Sequence, residues 1–258
     1  MLITEQKLKK LGRLFYRGSL YPDWDESLSL FKCFYVTSEP SYALYYATDE
    51  DTHNVGYVTE FYLNKLCNLF NANSDRDFQI LKTHLTKNKS SLSLQDLRNL
   101  CTEDWLLLGS DKKEELIRCL KELNFDGFVN FERVRGFFIR RSFGGVRSFS
   151  GIGLFNPLEF FKQGKQYKGF SEVSKIPKVK ADIESELAHI REFAEDKFDL
   201  VSSKKDLINL ILLSGVNKYL VTLEDIENVV NNLDPKKLQE RFKLESHRKS
   251  FRSYLCKK

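Results

Sequence analysis

The sequence predicts an α+β fold over its first two-thirds, followed by an all-α segment. Three observations carry this. Short apolar-aromatic runs, broken by Gly, Asn and Asp, recur through residues 1–165 and read as strands. They do not alternate with helices in the rhythm of repeated βαβ units, which argues against a wound parallel sheet. From about residue 180 onward every apolar pattern has a helical period. The predicted division is a domain over 1–166, a linker over 167–180 and a helical domain over 181–258.

Strands are expected at Leu11 to Phe15 with the adjoining Phe15 to Ser19, then at Phe31 to Thr37, Gly56 to Leu63, Gly127 to Phe131, Gly136 to Arg140 and Gly151 to Phe155. Helices fall between them. Ser41 to Thr48 follows Pro40, a residue suited to a first helical turn. Arg76 to Lys87 spaces Phe78, Leu81 and Leu85 along one face. Ser93 to Cys101 opens on a Ser-x-x-Asp cap, and Asp111 to Asn124 aligns Leu116, Cys119, Leu120 and Leu123. The stretch from Tyr167 to Lys180 holds Pro177 and several Lys and Ser, the composition of a linker.

In the helical region, 181–197 places Ile183, Leu187, Ile190 and Phe193 at helical spacing. Ser203 to Ser214 carries Leu207, Leu210, Ile211 and Leu213, and Thr222 to Leu233 carries Ile226, Val229 and Val230. The predicted bundle core is Ile183, Leu187, Leu207, Leu210, Ile226 and Val230. A final basic helix starts at Pro235. From Asp234 to Lys258 nine Lys or Arg face three acids, an excess of six, so the rest of a chain of net charge +5 sums to minus one. The basicity therefore belongs to the C-terminal helix, where an acidic partner would bind.

No apolar run approaches the length of a membrane-spanning helix. Met1 to Lys10 lacks an apolar core, so no classical signal peptide is expected. The expected setting is the cytoplasm, or a host cell reached without such a signal. Cys33, Cys67, Cys101, Cys119 and Cys256 are dispersed, with no Cys-x-x-Cys pair, as are His53, His84, His189 and His247. That spacing predicts reduced thiols and no metal site. Phe143-Gly144-Gly145-Val146 is too irregular for a dinucleotide fingerprint, which excludes a Rossmann oxidoreductase. Arg133, Arg135, Arg140, Arg141 and Arg147 interleave with phenylalanines from Phe131 to Phe149, the pattern of a half-buried hairpin or of an anion-binding one.

The chemistry concentrates near the N-terminus. Tyr16-Arg17-Gly18-Ser19 ends a strand in Arg-Gly, and Phe34 to Ala47 reads as strand, turn and a tyrosine-rich helix. An arginine holds phosphate through its planar fork, tyrosines stack on flat rings, and Gly18 admits a close backbone approach. These are the parts of a pocket for a heteroaromatic ring joined to phosphates.

In order and content these segments resemble the ADP-ribosyltransferase fold, over roughly residues 12–163. In the branch that includes the poly-ADP-ribose polymerases, a first strand ends in His-Gly, a second carries Gly-x-Tyr-Phe, and a helix ends in Tyr-Cys or Tyr-Ala. Tyr16-Arg17-Gly18-Ser19, Phe34-Tyr35-Val36-Thr37 and Ala43-Leu44-Tyr45-Tyr46-Ala47 look like these, with Arg17 in the histidine's place. That arginine is shared with the arginine-serine-glutamate toxins, whose Ser-Thr-Ser motif would fall on Val36-Thr37-Ser38. Small bacterial and phage-borne relatives are the most similar. Their Gly-Tyr-Asp-Gly-Ile and Glu-Tyr-Val-Val-Phe-Asn-Pro resemble Asn124-Phe125-Asp126-Gly127-Phe128 and Gly151-Ile152-Gly153-Leu154-Phe155-Asn156-Pro157.

The resemblance implies split mixed β-sheets around an NAD cleft, here packed face to face. It implies mono-ADP-ribosyl transfer from NAD to a macromolecular acceptor, protein rather than nucleic acid, by a phage, toxin or effector protein. Arg17, Gly18, Tyr35, Ser38 and Tyr46 would bind NAD, with Arg17 on phosphate or ribose and the two tyrosines, Tyr35 also counted as catalytic, flanking the nicotinamide. The family's catalytic glutamate falls on Gly151, which has no carboxylate. Glu132 is the first candidate to replace it, with Glu60 and Glu159 behind it. A catalytically silent module of the same fold, binding a protein or nucleic acid, is the alternative. A relative of the RNA 2′-phosphotransferases, which use several arginines and no glutamate, is a lesser one.

Overall fold

The computed structural model describes residues 13–23, 33–49, 51–71, 74–88, 90–93, 96, 109–134, 147–201 and 203–233. The strands expected at Gly136 to Arg140, most of the helix at Ser93 to Cys101 and the basic helix from Pro235 lie outside the described residues. What is described forms two compact units, one running to Ala181 and the other from Asp182.

The first unit is built on one seven-stranded mixed sheet. Its strands are β1 (Leu14–Ser19), β2 (Phe34–Thr37), β3 (Tyr57–Leu63), β4 (Leu69–Phe70), β5 (Gly127–Val134), β6 (Arg147–Leu154) and β7 (Phe161–Lys168), in the spatial order β4-β5-β6-β2-β1-β3-β7. Only β4 and β5 run parallel. The expectation of two small sheets packed face to face is corrected here, because the strands share one hydrogen-bonded sheet. The sheet is weakest in its middle. β1 and β3 register over six pairs, and β2 and β6 over four, but β1 meets β2 at the single pair Tyr16 with Thr37. A seam thus divides the sheet edge to edge.

Side chains alternate across the sheet. One face buries Phe15, Phe34, Val36, Ile152, Leu154 and Phe161. The other buries Phe70 and Phe128 beneath two helices, α2 (Asp75–Lys87) and α3 (Ser110–Glu122), which contribute Leu81, Leu85, Leu116 and Leu120. Each such large side chain, removed from water, stabilises the fold by roughly 1.5–3 kcal/mol. Ser74 caps α2 by accepting from the Asp77 amide, and Asp75 and Asp77 sit at its positive end. A shorter helix, α1 (Pro40–Ala47), begins at Pro40 as its sequence predicts.

The predicted linker is ordered structure. Strand β7 runs to Lys168, paired along β3, and is followed by α5 (Gly169–Val173), after the short α4 (Pro157–Phe160) that precedes β7. The long helix α6 (Pro177–Lys197) then starts at the proline itself. Val173, Ile176 and Val179 are buried, a three-residue spacing that the surrounding lysines and serines disguise.

In the second unit α6 is followed by α7 (Lys204–Leu213) and α8 (Leu223–Asn231). Ser203 caps α7, and Thr222 with Asp225 forms a reciprocal capping box on α8. Leu207, Ile226 and Val230 are buried, while Ile183, Leu187 and Leu210 are half-buried. Leu213, expected on the same stripe, is exposed. Glu186 is buried and accepts the amide of Asn217 at 2.9 Å, which fixes the turn after α7.

Candidate functional site

Arg17 stands at the seam. It pairs with Thr59 of β3, and its partly buried side chain reaches toward β2. Its Nη1 donates to the Tyr35 carbonyl at 3.1 Å, and its guanidinium carbon lies 4.7 Å from the centre of the Phe34 ring. A side chain thus takes up a carbonyl where the β1–β2 ladder has opened. Burial lowers the guanidinium's pKa to about 10, and no carboxylate among the described residues pairs with it. A shielded cation with unused donors, aimed along an open edge, is suited to an anion.

The space beside Arg17 is a cavity of about 370 Å³, of ligand size. Phe34, Phe61 and Phe161 form its aromatic floor, with Phe34 and Phe61 edge to face at 4.9 Å and Phe61 and Phe161 at 6.1 Å. Thr59 and Gln163 supply polar wall groups, and Ser19, Tyr21, Pro22 and Asp23 form one side. Gln166 donates to the Pro22 carbonyl at 2.6 Å and to Thr59 Oγ1 at 3.1 Å, which ties that side to β7. Tyr21 is 62% exposed at the rim and offers a ring face to solvent.

The other sequence-predicted residues are not gathered around Arg17. Tyr35 follows Phe34 and projects from the opposite face, where its ring meets Phe128 edge-on at 5.8 Å. Gly18 also belongs to that face. A Cβ there would lie 1.7 Å from the Ala43 carbonyl oxygen, so the close approach that Gly18 permits is made by α1. Tyr46 lies on α1, 48% exposed, with its hydroxyl 2.8 Å from that of Tyr42 and its ring 5.1 Å from that of Tyr45. Ser38 occupies the bend before α1, beside Glu39, whose carboxylate pairs with Lys178 at 2.5 Å. The single cleft expected to hold Arg17, Tyr35 and Tyr46 is therefore divided by the sheet: strand alternation sends Arg17 one way and Tyr35 the other, and Tyr46 lies on α1, which packs on the Gly18 side.

The strands that carry the motifs are nevertheless neighbours. One row of registered residues crosses them: Asn130 on β5, Gly151 on β6, Thr37 on β2, Tyr16 on β1 and Glu60 on β3. Glu132 is two residues beyond Asn130 on the strand adjacent to Gly151, paired with Phe149; its side chain lies outside the described part of the molecule. Glu60 is three strands from Gly151, about 14 Å at ordinary strand spacing. There it accepts from Tyr167 at 2.8 Å and Tyr62 at 3.0 Å, beside an irregularity in the β3–β7 ladder. Burial and this carboxylate push the Tyr167 phenol up to about 12. Glu159 is paired with Lys65. By position Glu132 is the nearest of the three to Gly151.

Sequence reasoning missed most of the cavity. Phe34 entered only through the Phe-Tyr-x-Thr motif and Phe61 only as part of an expected strand, while Phe161 and Tyr21-Pro22 carried no motif. Alternation alone could not have found it: the residues flanking Tyr35 share the face of Arg17 only in the register of Tyr16 with Thr37. Comparison with protein-family models, curated proteins and solved structures finds no match to this chain.

Proposed function

We propose that this chain is a mono-ADP-ribosyltransferase, which binds NAD beside Arg17 and transfers ADP-ribose to a macromolecular acceptor. The observation that carries the reading is the shielded guanidinium of Arg17, paired with no carboxylate among the described residues, at the wall of an aromatic-floored cavity. A pyrophosphate supplies the two anionic groups that a planar fork takes, and the cavity floor and Tyr21 supply apolar surface for a ring. The adjacency of β1, β2 and β6, which bear the Arg-Gly, Phe-Tyr-x-Thr and Asn-Pro motifs, supports the family resemblance.

In the reaction the bond between the ribose C1′ and the nicotinamide nitrogen breaks, and its electrons leave with nicotinamide. The acceptor nucleophile bonds C1′ and gives up its proton. A carboxylate stabilises the positive, oxocarbenium-like ribose between these events. Glu132 is the candidate for that role and Arg17 for the phosphates. The row that Glu132 continues (Asn130, Gly151, Thr37, Tyr16) has the opposite parity to Arg17, and β5 lies three strands from β1, so the Glu132→Gln assay also tests whether one NAD meets both. Ser38, Tyr35, Tyr46 and Gly18 act in it as supports of the β2–α1 segment.

The second reading, a silent module of the same fold that binds a protein or nucleic acid, is favoured by Gly151 at the glutamate position and by the engagement of Glu60 and Glu159 with other side chains. Calorimetric titration with NAD, beside a labelled-NAD transfer assay, separates the two. The enzyme reading expects binding and transfer, with Glu132→Gln keeping the first and losing the second. Wild-type protein that binds NAD without transfer, or does neither, leaves the silent module.

A further inference from the structure

On the face away from Arg17, the last turns of α2 and α3 bring three metal-ligating side chains together. His84 Nε2 lies 2.8 Å from Glu122 Oε2. The Cys119 sulfur is buried beside them, three residues before Glu122 on α3, so both point from one helix face. One donor atom from each of the three lies within 4.8 Å of the others. Tetrahedral zinc, with bonds near 2.0 Å to nitrogen or oxygen and 2.3 Å to sulfur, needs donors roughly 3.5 Å apart. His84 Nε2 and Glu122 Oε2 already lie inside that separation, and small side-chain shifts among all three donors would complete it.

We infer that His84, Cys119 and Glu122 form a site for a borderline-soft divalent transition metal, with zinc as the reference ion. Three arguments independent of the NAD reading support it. The donor set of imidazole, thiolate and carboxylate matches zinc and its neighbours and is poor for magnesium or calcium. Cys119 as thiolate and Glu122 as carboxylate neutralise the two charges of the ion. The carbonyl ends of two helices converge there, since His84 precedes the Asn88 cap of α2 and Cys119 and Glu122 precede the Leu123 cap of α3, and helix C-termini favour cations.

Binding releases one proton, that of the Cys119 thiol, to solvent. The Arg118 guanidinium, 3.9 Å from Glu122 Oε1, gives up that contact as the ion takes the carboxylate. Three protein ligands leave a fourth position for water. The ion pins α2 to α3, the pair that builds the core against which Tyr35 packs.

The test is titration of the full, reduced chain with zinc in competition with a chromophoric chelator, repeated with cobalt(II) for its spectrum. One tight equivalent is expected, with a near-ultraviolet sulfur-to-cobalt charge-transfer band. His84→Ala and Glu122→Ala, both at partly exposed positions that tolerate truncation, should each weaken zinc binding at least about tenfold. Cys119→Ser should abolish the cobalt band, and zinc should raise the melting temperature of wild type more than that of His84→Ala. Wild type and His84→Ala that bind zinc equally, or a cobalt band that survives in Cys119→Ser, overturns the assignment, because another cysteine or histidine then holds the ion. Absence of tight binding by wild type overturns it too, and leaves His84 and Glu122 as an interhelical hydrogen bond over a core cysteine.

Discussion

Arg17 and Gly18 are adjacent in the chain and belong to opposite sides of the sheet. On the Arg17 side the strands end in an aromatic floor, a cavity and a shielded cation. On the Gly18 side the backbone of α1 lies against the strand so closely that no side chain fits between them. One strand thus anchors a helix with the smallest residue and holds open a pocket with the most demanding one. Short motifs in which an arginine precedes a glycine combine a binding requirement and a packing requirement, and the two do not share a location.

Substitutions at these two positions should therefore fail in different ways. The largest effect is expected from Gly18→Ala. The new methyl group collides with the Ala43 carbonyl, and backbone yields less readily than a side chain. A loss of about 3 kcal/mol or more of unfolding free energy is expected in urea denaturation. A loss under about 1 kcal/mol would show that α1 can lift away and that the two sides are not so different.

Next comes Arg17→Ala, which should cost roughly 1.5–3 kcal/mol of NAD binding by calorimetry, with Arg17→Lys restoring only part of it. Arg17→Met sharpens the contrast. It removes a shielded cation that has no carboxylate partner among the described residues, and that relief should offset most of the lost strut to the Tyr35 carbonyl, so folding stability should change little while binding falls. A matching loss of stability would mean that Arg17 serves the fold as Gly18 does.

A cap in the helical unit sets the scale for an ordinary defect. Thr222→Ala breaks the capping box and should cost about 1 kcal/mol of stability, with NAD affinity unchanged.

The smallest effect is alkaline. The folded-state pKa of Tyr167 is raised from its ordinary 10.0 to about 12. The unfolded chain then releases that proton first, so Tyr167 contributes stability that is intact below pH 10 and falls as pH rises toward 12. Unfolding followed against pH in wild type and Tyr167→Phe should show a shallower alkaline decline in the variant. An identical decline would place the alkaline sensitivity on other groups.

The sequence made the elements legible more fully than their arrangement. Ser203 and Thr222 announce helix starts, and Pro40 does the same for α1, because caps are local chemistry. Strand β7 was missed because it is an edge strand, rich in Lys and interrupted by Gly164, and so has none of the apolar alternation of a half-buried strand. The linker reading failed for a related reason: charged residues around Val173, Ile176 and Val179 masked a buried stripe. Arg17, Gly18, Tyr35 and Tyr46 were read from the sequence as one set. Their division between two faces depends on the register of Tyr16 with Thr37, a contact between distant residues that no local pattern encodes.

That lone registered pair has a further consequence. A rung of a sheet is fixed by two backbones at once, whereas the contact from Arg17 to the Tyr35 carbonyl hangs on the rotatable bonds of a single side chain. Turning those bonds detaches the strut without unfolding either strand. In hydrogen bonds among the described residues, the two halves of the sheet, one centred on β1 and β3 and the other on β2, β5 and β6, are thus joined like boards with one nail and one latch, while Phe34 packs on Phe61 across the join. Whatever the guanidinium grips next sets how firmly the boards are held.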